Sequence, residues 1–474
     1  MAAAMQEKKT NIIHYLVVLV FCFLFRFIPP FAALTPYGMG ILGAFLGAIY
    51  GWICIDMIFP SFMALVGIGL TIGMNDMIAA SFNTTVISMI FIYLIIGVCM
   101  EVGSIDWLVN KFLSAKFMIG KPWLMIWFIY FAGLCLGSKN SVIMIVIFLS
   151  FLNSIFVQVK MPLKTKETVL IALGTVYAIS LGQIMIPFMG LGLTLTAVYS
   201  AMFQSALPFG PWIITMLPLN LVMITAYVLL MRFVFRCDLS QLKNMTADML
   251  GTSEKITKDQ KMSLLFFLLF VVCMLCSNIT QFGFLYKIFS KLGMFGITAC
   301  VLCLMMLVKR EDGTPLLHFR KAAATIGWDP VLLTAFIMVI GTYMNSPEAG
   351  ISASLRMLIA PLSGLPAFAF IFIALGVGAI LTNFATNLII IIIIMPVVVQ
   401  YAMQSGLPSL GVLCLLFMSC HICLATPAAS PQTGITFAHE MFDKKMGMKY
   451  GAIMVVLLYI IQMVVGMAWI NFIF

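Results

Sequence analysis

Thr382-Asn383-Phe384-Ala385-Thr386-Asn387 cuts a hydrophobic block in two and is followed at once by the aliphatic run Leu388 to Met395. An equivalent cut, Ser138-Lys139-Asn140-Ser141, precedes the run Val142 to Leu149, and Asn140 and Asn387 stand 247 residues apart, about half the chain. A membrane segment that breaks off around Asn, Ser and Thr frees backbone groups that lipid cannot satisfy. Such breaks persist only where protein buries them or where they line a site. Two equivalent breaks, one in each half, point to a transporter with its binding site near the middle of the membrane.

Composition sets the class. With 63% hydrophobic and 9% charged residues among 474, the chain is far from a soluble domain, which carries roughly 25% charge. The apolar runs are continuous and about 20 residues long, so they are helices rather than the alternating strands of a barrel. Windows of about 19 residues place spans near 12–34, 38–57, 59–74, 83–105, 168–202, 210–235, 262–280, 291–308, 330–345 and 450–473. Further blocks at 122–157, 365–403 and 408–437 are interrupted, the last at Thr426-Pro427-Ala428-Ala429-Ser430-Pro431. The blocks 122–157 and 365–403 read as re-entrant hairpins, because each polar tip leaves two arms of about 16 residues, short for a crossing. The expected fold is an all-α polytopic membrane protein of about 11 transmembrane helices plus two re-entrant hairpins in two inverted repeats.

On this reading residues 1–105 supply N-terminal scaffold helices, and 106–235 form a first core with hairpin 122–157 and broken helix 168–202. Residues 236–261 are a cytosolic connector, 262–345 a second set of scaffold helices, and 346–474 a second core with hairpin 365–403 and broken helix 408–437. With a cytosolic N-terminus, the loops 106–121, 158–167, 236–261, 309–328 and 438–449 fall inside. Together with Lys8, Lys9 and Arg232 they hold 21 of the 26 Lys and Arg, which satisfies the positive-inside rule. The net charge of +10 then belongs to topology and to anionic lipid, with no need of nucleic acid. The first apolar stretch runs past 20 residues without a small-residue cleavage site, so it reads as a retained span of a multi-pass protein of the plasma (inner) membrane.

Other signals are weaker. Cys273/Cys276, Cys300/Cys303 and Cys420/Cys423 have metal-like spacing, yet all fall in apolar helices, where a three-residue step merely places two small side chains on one face. No HExxH and no P-loop occurs, which argues against a membrane metalloprotease or an ATP-driven pump; a channel or a membrane-embedded enzyme is a further option, disfavoured by the absence of a filter repeat or of any catalytic cluster. Arg26 reads as snorkelling outward and Glu101 and Asp106 as interfacial. Arg310 to Ala324 reads as a partly amphipathic segment on the inner surface. A polar break with proline follows each hairpin: Ser180-Leu181-Gly182-Gln183 through Pro187-Phe188-Met189-Gly190, and Ala429-Ser430-Pro431-Gln432-Thr433-Gly434. Ser180 and Ser430 lie 250 residues apart, close to the offset of the asparagines, as a repeat requires.

The order of elements, Leu34-Thr35-Pro36-Tyr37-Gly38, Ser81-Phe82-Asn83-Thr84-Thr85-Val86 and the paired tips resemble the divalent anion/sodium symporter family of the ion transporter superfamily. Leu381-Thr382-Asn383-Phe384-Ala385-Thr386-Asn387 is similar to the family's second tip, and Ala429-Ser430-Pro431 to its Ala-Thr-Pro motif. The family's Ser-Asn-Thr tips appear here as Lys139-Asn140-Ser141 and Thr386-Asn387-Leu388, so two positions depart.

The resemblance implies substrate contacts at Lys139, Asn140, Ser141, Thr386, Asn387, Ser430 and Pro431. It implies a sodium site around Thr382, Ala385, Asn387 and Ala429, with sodium as the coupling ion and no other cofactor. Lys139 falls where the family has Ser: either its ammonium stands in for a sodium ion or contacts substrate, or it snorkels to a vestibule. Asn and Thr at a tip also cap the helix that follows. Leu388 replaces a hydroxyl and points to a substrate with a less polar end. The implied protein is a homodimeric secondary transporter of small organic anions, most directly di- or tricarboxylates, working by an elevator motion and sodium-coupled or anion-exchanging. The alternative is a cation/proton antiporter, which wants a mid-membrane carboxylate that neither tip supplies.

Overall fold

In the computed structural model, described for residues 12–113, 118–137, 141–188, 191–203, 205–244, 255–277, 282–324, 326, 328–344, 346–351, 353–354, 357, 365–384 and 386–474, the long apolar runs are α-helices. The first part of the chain forms α1 (Ile12–Leu19, continued by a π turn Val20–Leu24 and a 3-10 turn Phe25–Phe27), α2 (Pro36–Cys54), α3 (Ile58–Ile72), α4 (Met74–Ser81) and α5 (Thr84–Glu101). Then come α6 (Ser104–Leu113), α7 (Pro122–Leu136), α8 (Ser141–Gln158), α9 (Lys166–Met185), α10 (Leu191–Phe203) and α11 (Phe209–Leu229). The second half holds α12 (Lys258–Cys276), α13 (Phe284–Leu307), α14 (Phe319–Ala324), α15 (Trp328–Met344), α16 (Ala367–Leu381), α17 (Asn387–Gln404), α18 (Ser409–Cys420), α19 (Pro431–Ala438) and α20 (Lys444–Ile473). Among the described residues nine helices are long and apolar enough to cross a membrane, with shorter apolar helices between them. The protein is an all-helical, multi-pass membrane protein.

The chain divides into two compact units: residues 1–89 with 194–207 and 327–365, and residues 90–193 with 208–326 and 366–474. In the first, Thr35 caps α2 by accepting from the Gly38 N–H at 3.1 Å. Glycines let α2 approach the π turn closely: a Cβ at Gly47 would stand 2.7 Å from the Cys22 sulfur. Small residues at helix crossings are the usual device where lipid gives helices no hydrophobic reason to associate. Arg26 donates to the Leu70 carbonyl at 3.0 Å, which gives the charge a protein partner rather than only an outward path.

The second unit holds both helix pairs with polar tips, and in each pair the two helices pack on each other, α7 on α8 and α16 on α17. α9 lies against α7, α8, α11 and α20 and is buried along nearly its whole length. Gly182 makes the α7 crossing possible, since a Cβ there would fall 2.4 Å from the Leu134 carbonyl oxygen. The Tyr227 hydroxyl donates to the Leu170 carbonyl at 2.9 Å and that of Tyr130 to Ile171 at 3.2 Å. Gln462 of α20 donates to the Leu415 carbonyl at 2.8 Å. These three buried side chains thus find partners across helices, as the absence of water favours.

Several boundaries differ from the hydropathy reading. α6 occupies part of the expected loop 106–121, and α4 is too short to register in a 19-residue window. α20 begins at Lys444 rather than near 450, because Asp443 accepts from the Met446 N–H at 2.8 Å and starts the helix within a lysine-rich stretch that lowers hydropathy. α13 contains a break at Gly293 (φ 60°), and the apolar span expected from 291 is the part beyond it. The expected amphipathic segment from Arg310 is helical only over Phe319–Ala324. Before it the chain turns back, with Arg310 N–H donating to the Thr314 carbonyl at 2.7 Å.

Glu101 closes that corner. Its carboxylate takes both guanidinium nitrogens of Arg310, at 3.0 and 2.9 Å, and Lys321 stands at 3.6 Å. The hydrogen bonds it donates to Glu101 hold the Arg310 guanidinium above its ordinary pKa. Glu101 is therefore a structural ion-pair residue at the helix end. The side chain of Asp106 lies outside the described residues.

Candidate functional site

α16 ends at Leu381 and α17 starts at Asn387, with Thr386 in extended conformation (ψ 134°) at its N-cap. Thr386 makes no side-chain cap, and its hydroxyl is buried without a partner. The turn between the helices is instead held from outside, by the stretch His421 to Ser430 that unwinds between α18 and α19. Asn383 is the staple. Its amide donates to the Ala379 carbonyl at 2.7 Å and the Ile422 carbonyl at 3.2 Å, and its side-chain oxygen accepts from the Ala425 N–H at 2.7 Å. The Thr426 hydroxyl donates to the Asn383 backbone carbonyl. An unwound segment inside a membrane protein must have its backbone groups satisfied, and one asparagine supplies much of that here.

Thr382 sits beside it, fully buried. Its hydroxyl oxygen is 2.7 Å from the Asn387 side-chain oxygen and 2.6 Å from the Cys420 carbonyl oxygen. A hydroxyl has one proton, so one of these two short approaches carries none. This concentration of lone pairs suits a hard cation, which oxygen donors hold. Among the described residues no group of three His, Cys, Asp or Glu forms a metal cluster. Asn387 turns its amide nitrogen to the Cys423 sulfur at 3.6 Å, and that sulfur also stands 3.7 Å from the Ser180 hydroxyl.

The third helix start is α19. Ser430 caps it by accepting from the Thr433 N–H at 3.2 Å, and Pro431 occupies the first helical position, where its missing N–H costs nothing. The Thr433 hydroxyl donates to the Cys423 carbonyl at 2.8 Å. Gln432 donates its amide N–H to the hydroxyl of Ser141, the first residue of α8. Ala429 is completely buried within the unwound stretch.

The N-termini of α17 and α19 are therefore tied to the unwound segment through Asn387 and Ser430, and that of α8 is tied to the head of α19 through Ser141 and Gln432. A helix N-terminus carries a partial positive charge of roughly half a unit, which favours anions.

Of the expected site residues, Ser141, Thr382, Thr386, Asn387, Ala429, Ser430 and Pro431 come together in this way. Lys139, Asn140 and Ala385 lie outside the described residues. Leu388 is buried, 7% exposed, at the second position of α17.

Two readings need correction. Ser180 is not in a break: α9 is continuous to Met185 and the chain leaves the helix at Ile186–Pro187, where the Trp212 indole N–H donates to the Met185 carbonyl at 3.2 Å. Ser180 and Ser430, one within a helix and one capping a helix, are not equivalent, so the 250-residue offset between them pairs unlike positions. Cys420 and Cys423 do not share a helical face either. α18 ends at Cys420 and Cys423 lies in the unwound stretch, because the polar Thr426 to Ser430 run that breaks the helix acts further upstream than its own position.

Asn383, Cys423, Thr426, Gln432 and Thr433 were not singled out from sequence as site residues. One signal was available: Ala425-Thr426-Pro427 is a literal Ala-Thr-Pro run four residues before Ala429-Ser430-Pro431, and its Ala425 and Thr426 are the residues that clasp Asn383.

No family model matches the chain. Over 130 residues, 27% of this chain, it is 29% identical to the Na(+)/dicarboxylate cotransporter 3 of Rattus norvegicus, and 28% identical over 130 residues to that of Mus musculus. Over 126 residues it is 29% identical to the Homo sapiens protein of the same name. The matched stretch spans 20–21% of those relatives' own length.

Proposed function

We propose that this protein is a secondary active transporter of small organic anions, most directly di- or tricarboxylates. The observation that carries the reading is the linkage of the α17 and α19 N-termini to the unwound segment His421–Ser430, with the α8 N-terminus bonded to the head of α19. Anionic substrate groups suit half-helix N-termini, and coupling cations suit unwound carbonyls. The partial similarity to sodium/dicarboxylate cotransporters points the same way. Ser141, Thr386, Asn387 and Ser430, with Pro431 at the head of α19 and with Lys139 and Asn140 at the first tip, are the residues to contact carboxylate. Thr382, Asn387 and the backbone at Ala385 and Ala429 are the residues to hold sodium. Lys139 supplies a fixed positive charge where a second ion would otherwise sit, which permits anion exchange.

On this reading the two helix pairs are re-entrant hairpins of inverted repeats. They travel with the substrate against scaffold helices in a homodimer of the plasma membrane, with a cytosolic N-terminus. The test is uptake of labelled succinate, malate and citrate into proteoliposomes, with and without a sodium gradient and with and without internal substrate. Saturable uptake driven by sodium or by internal anion is the expected result. No flux of any of the three would overturn the assignment.

A further inference from the structure

We propose that Gln432 is a positioning residue for the substrate: it fixes the direction of the Ser141 hydroxyl proton, so that Ser141 donates to a substrate carboxylate. The inference rests on the proposed anion site and adds to it a residue from outside both tips.

Gln432 is at the second position of α19 and is 4% exposed, whereas Ser141 is half-buried at the head of α8. The Gln432 amide N–H donates to the Ser141 oxygen. A serine hydroxyl has one proton and two lone pairs, and the amide occupies a lone pair. Ser141 is the first residue of α8, and among the described residues no acceptor takes its proton. The proton is left for a ligand. Were the amide turned over, its oxygen would take that proton and Ser141 would present only lone pairs to an anion.

The second observation is the cost of this orientation. Among the described residues the buried Gln432 side-chain oxygen has no partner. Buried polar atoms without partners are rare, and each calls for an explanation. The backbone that carries the side chain is held firmly: Ser430 caps the turn it sits in, and the Thr436 hydroxyl donates to the Gln432 backbone carbonyl at 2.9 Å, while the amide itself is oriented by its bond to Ser141. The contact also links the arm of the first helix pair to the helix after the second break, so carboxylate binding at Ser141 depends on a side chain from the far end of the chain.

The test is succinate uptake by proteoliposomes carrying the wild type, Ser141→Ala, Gln432→Leu, Gln432→Glu and the double variant Ser141→Ala/Gln432→Leu, with thermal midpoints in parallel. Loss of one hydrogen bond to a charged group corresponds to roughly a tenfold rise in KM. We expect that rise for Gln432→Leu with kcat little changed, a rise at least as large for the similarly shaped Gln432→Glu, and less than about a twofold further change when Gln432→Leu is added to Ser141→Ala. If Ser141→Ala raises KM but Gln432→Leu does not, or if their effects simply add, the positioning role is overturned and the anion site stands. If Ser141→Ala leaves KM unchanged, the site reading at Ser141 fails and this inference fails with it.

Discussion

Replacing Asn383 by alanine removes the staple between the α16–α17 turn and the unwound segment. The substitution removes the partner of three groups in a buried setting, the Ala379 and Ile422 carbonyls and the Ala425 N–H, which the side chain meets at 2.7, 3.2 and 2.7 Å. Each stranded group costs roughly 1–3 kcal/mol. Water entering the space vacated by the amide recovers part of this, so the net loss is about 2–4 kcal/mol. With an unfolding entropy of about 2 cal/mol/K per residue, a cooperative unit of several hundred residues loses roughly 3–6 °C of midpoint. Asn383→Asp keeps an acceptor for Ala425 but turns a carboxylate toward the Ala379 and Ile422 carbonyls, so its loss is at least as large. Thermal unfolding of purified protein, alongside succinate uptake, measures both effects. An Asn383→Ala protein within about 1 °C of wild type and with unchanged uptake would refute the role assigned to this residue.

Thr382→Val keeps the shape and removes the hydroxyl that stands between the Asn387 and Cys420 oxygens, and it is expected to raise the sodium concentration for half-maximal uptake about tenfold, read by sodium titration. Lys139→Ser restores the hydroxyl found in the resembled family. It is expected to weaken sodium-independent exchange and increase sodium stimulation, measured by comparing uptake in sodium and in choline buffers. Glu101→Ala leaves Arg310 and Lys321 without their carboxylate. A loss of about 1–2 kcal/mol, discounted for partial exposure, should appear as a lower thermal midpoint with substrate KM unchanged.

The all-helical, multi-pass class was legible because membrane spans are written in long apolar runs. The second tip was legible for a related reason: Thr382 and Asn387 are costly in an apolar block unless something holds them, and Cys420 and Cys423 do hold them. What escaped the sequence was the partner segment. Hydropathy registers where a helix is interrupted but not how far the chain unwinds, so the apolar run alone keeps Cys423 in a helix that ends three residues before it, at Cys420. Asn383 reads as one more tip residue until its amide is seen to reach across to Ile422 and Ala425. Ser180 shows the opposite error. Polar residues in a buried helix can be satisfied sideways, here against Cys423 at 3.7 Å, without breaking it. Gln432 carried no signal, because its significance comes from a contact with a residue 291 positions away.

The most direct test of the central claim is a cryo-electron microscopy map of the protein in lipid nanodiscs with saturating succinate. The account predicts density for the anion where the starts of α8, α17 and α19 meet, within hydrogen-bonding reach of Ser141 and Asn387. Anion density elsewhere with that junction empty would contradict it.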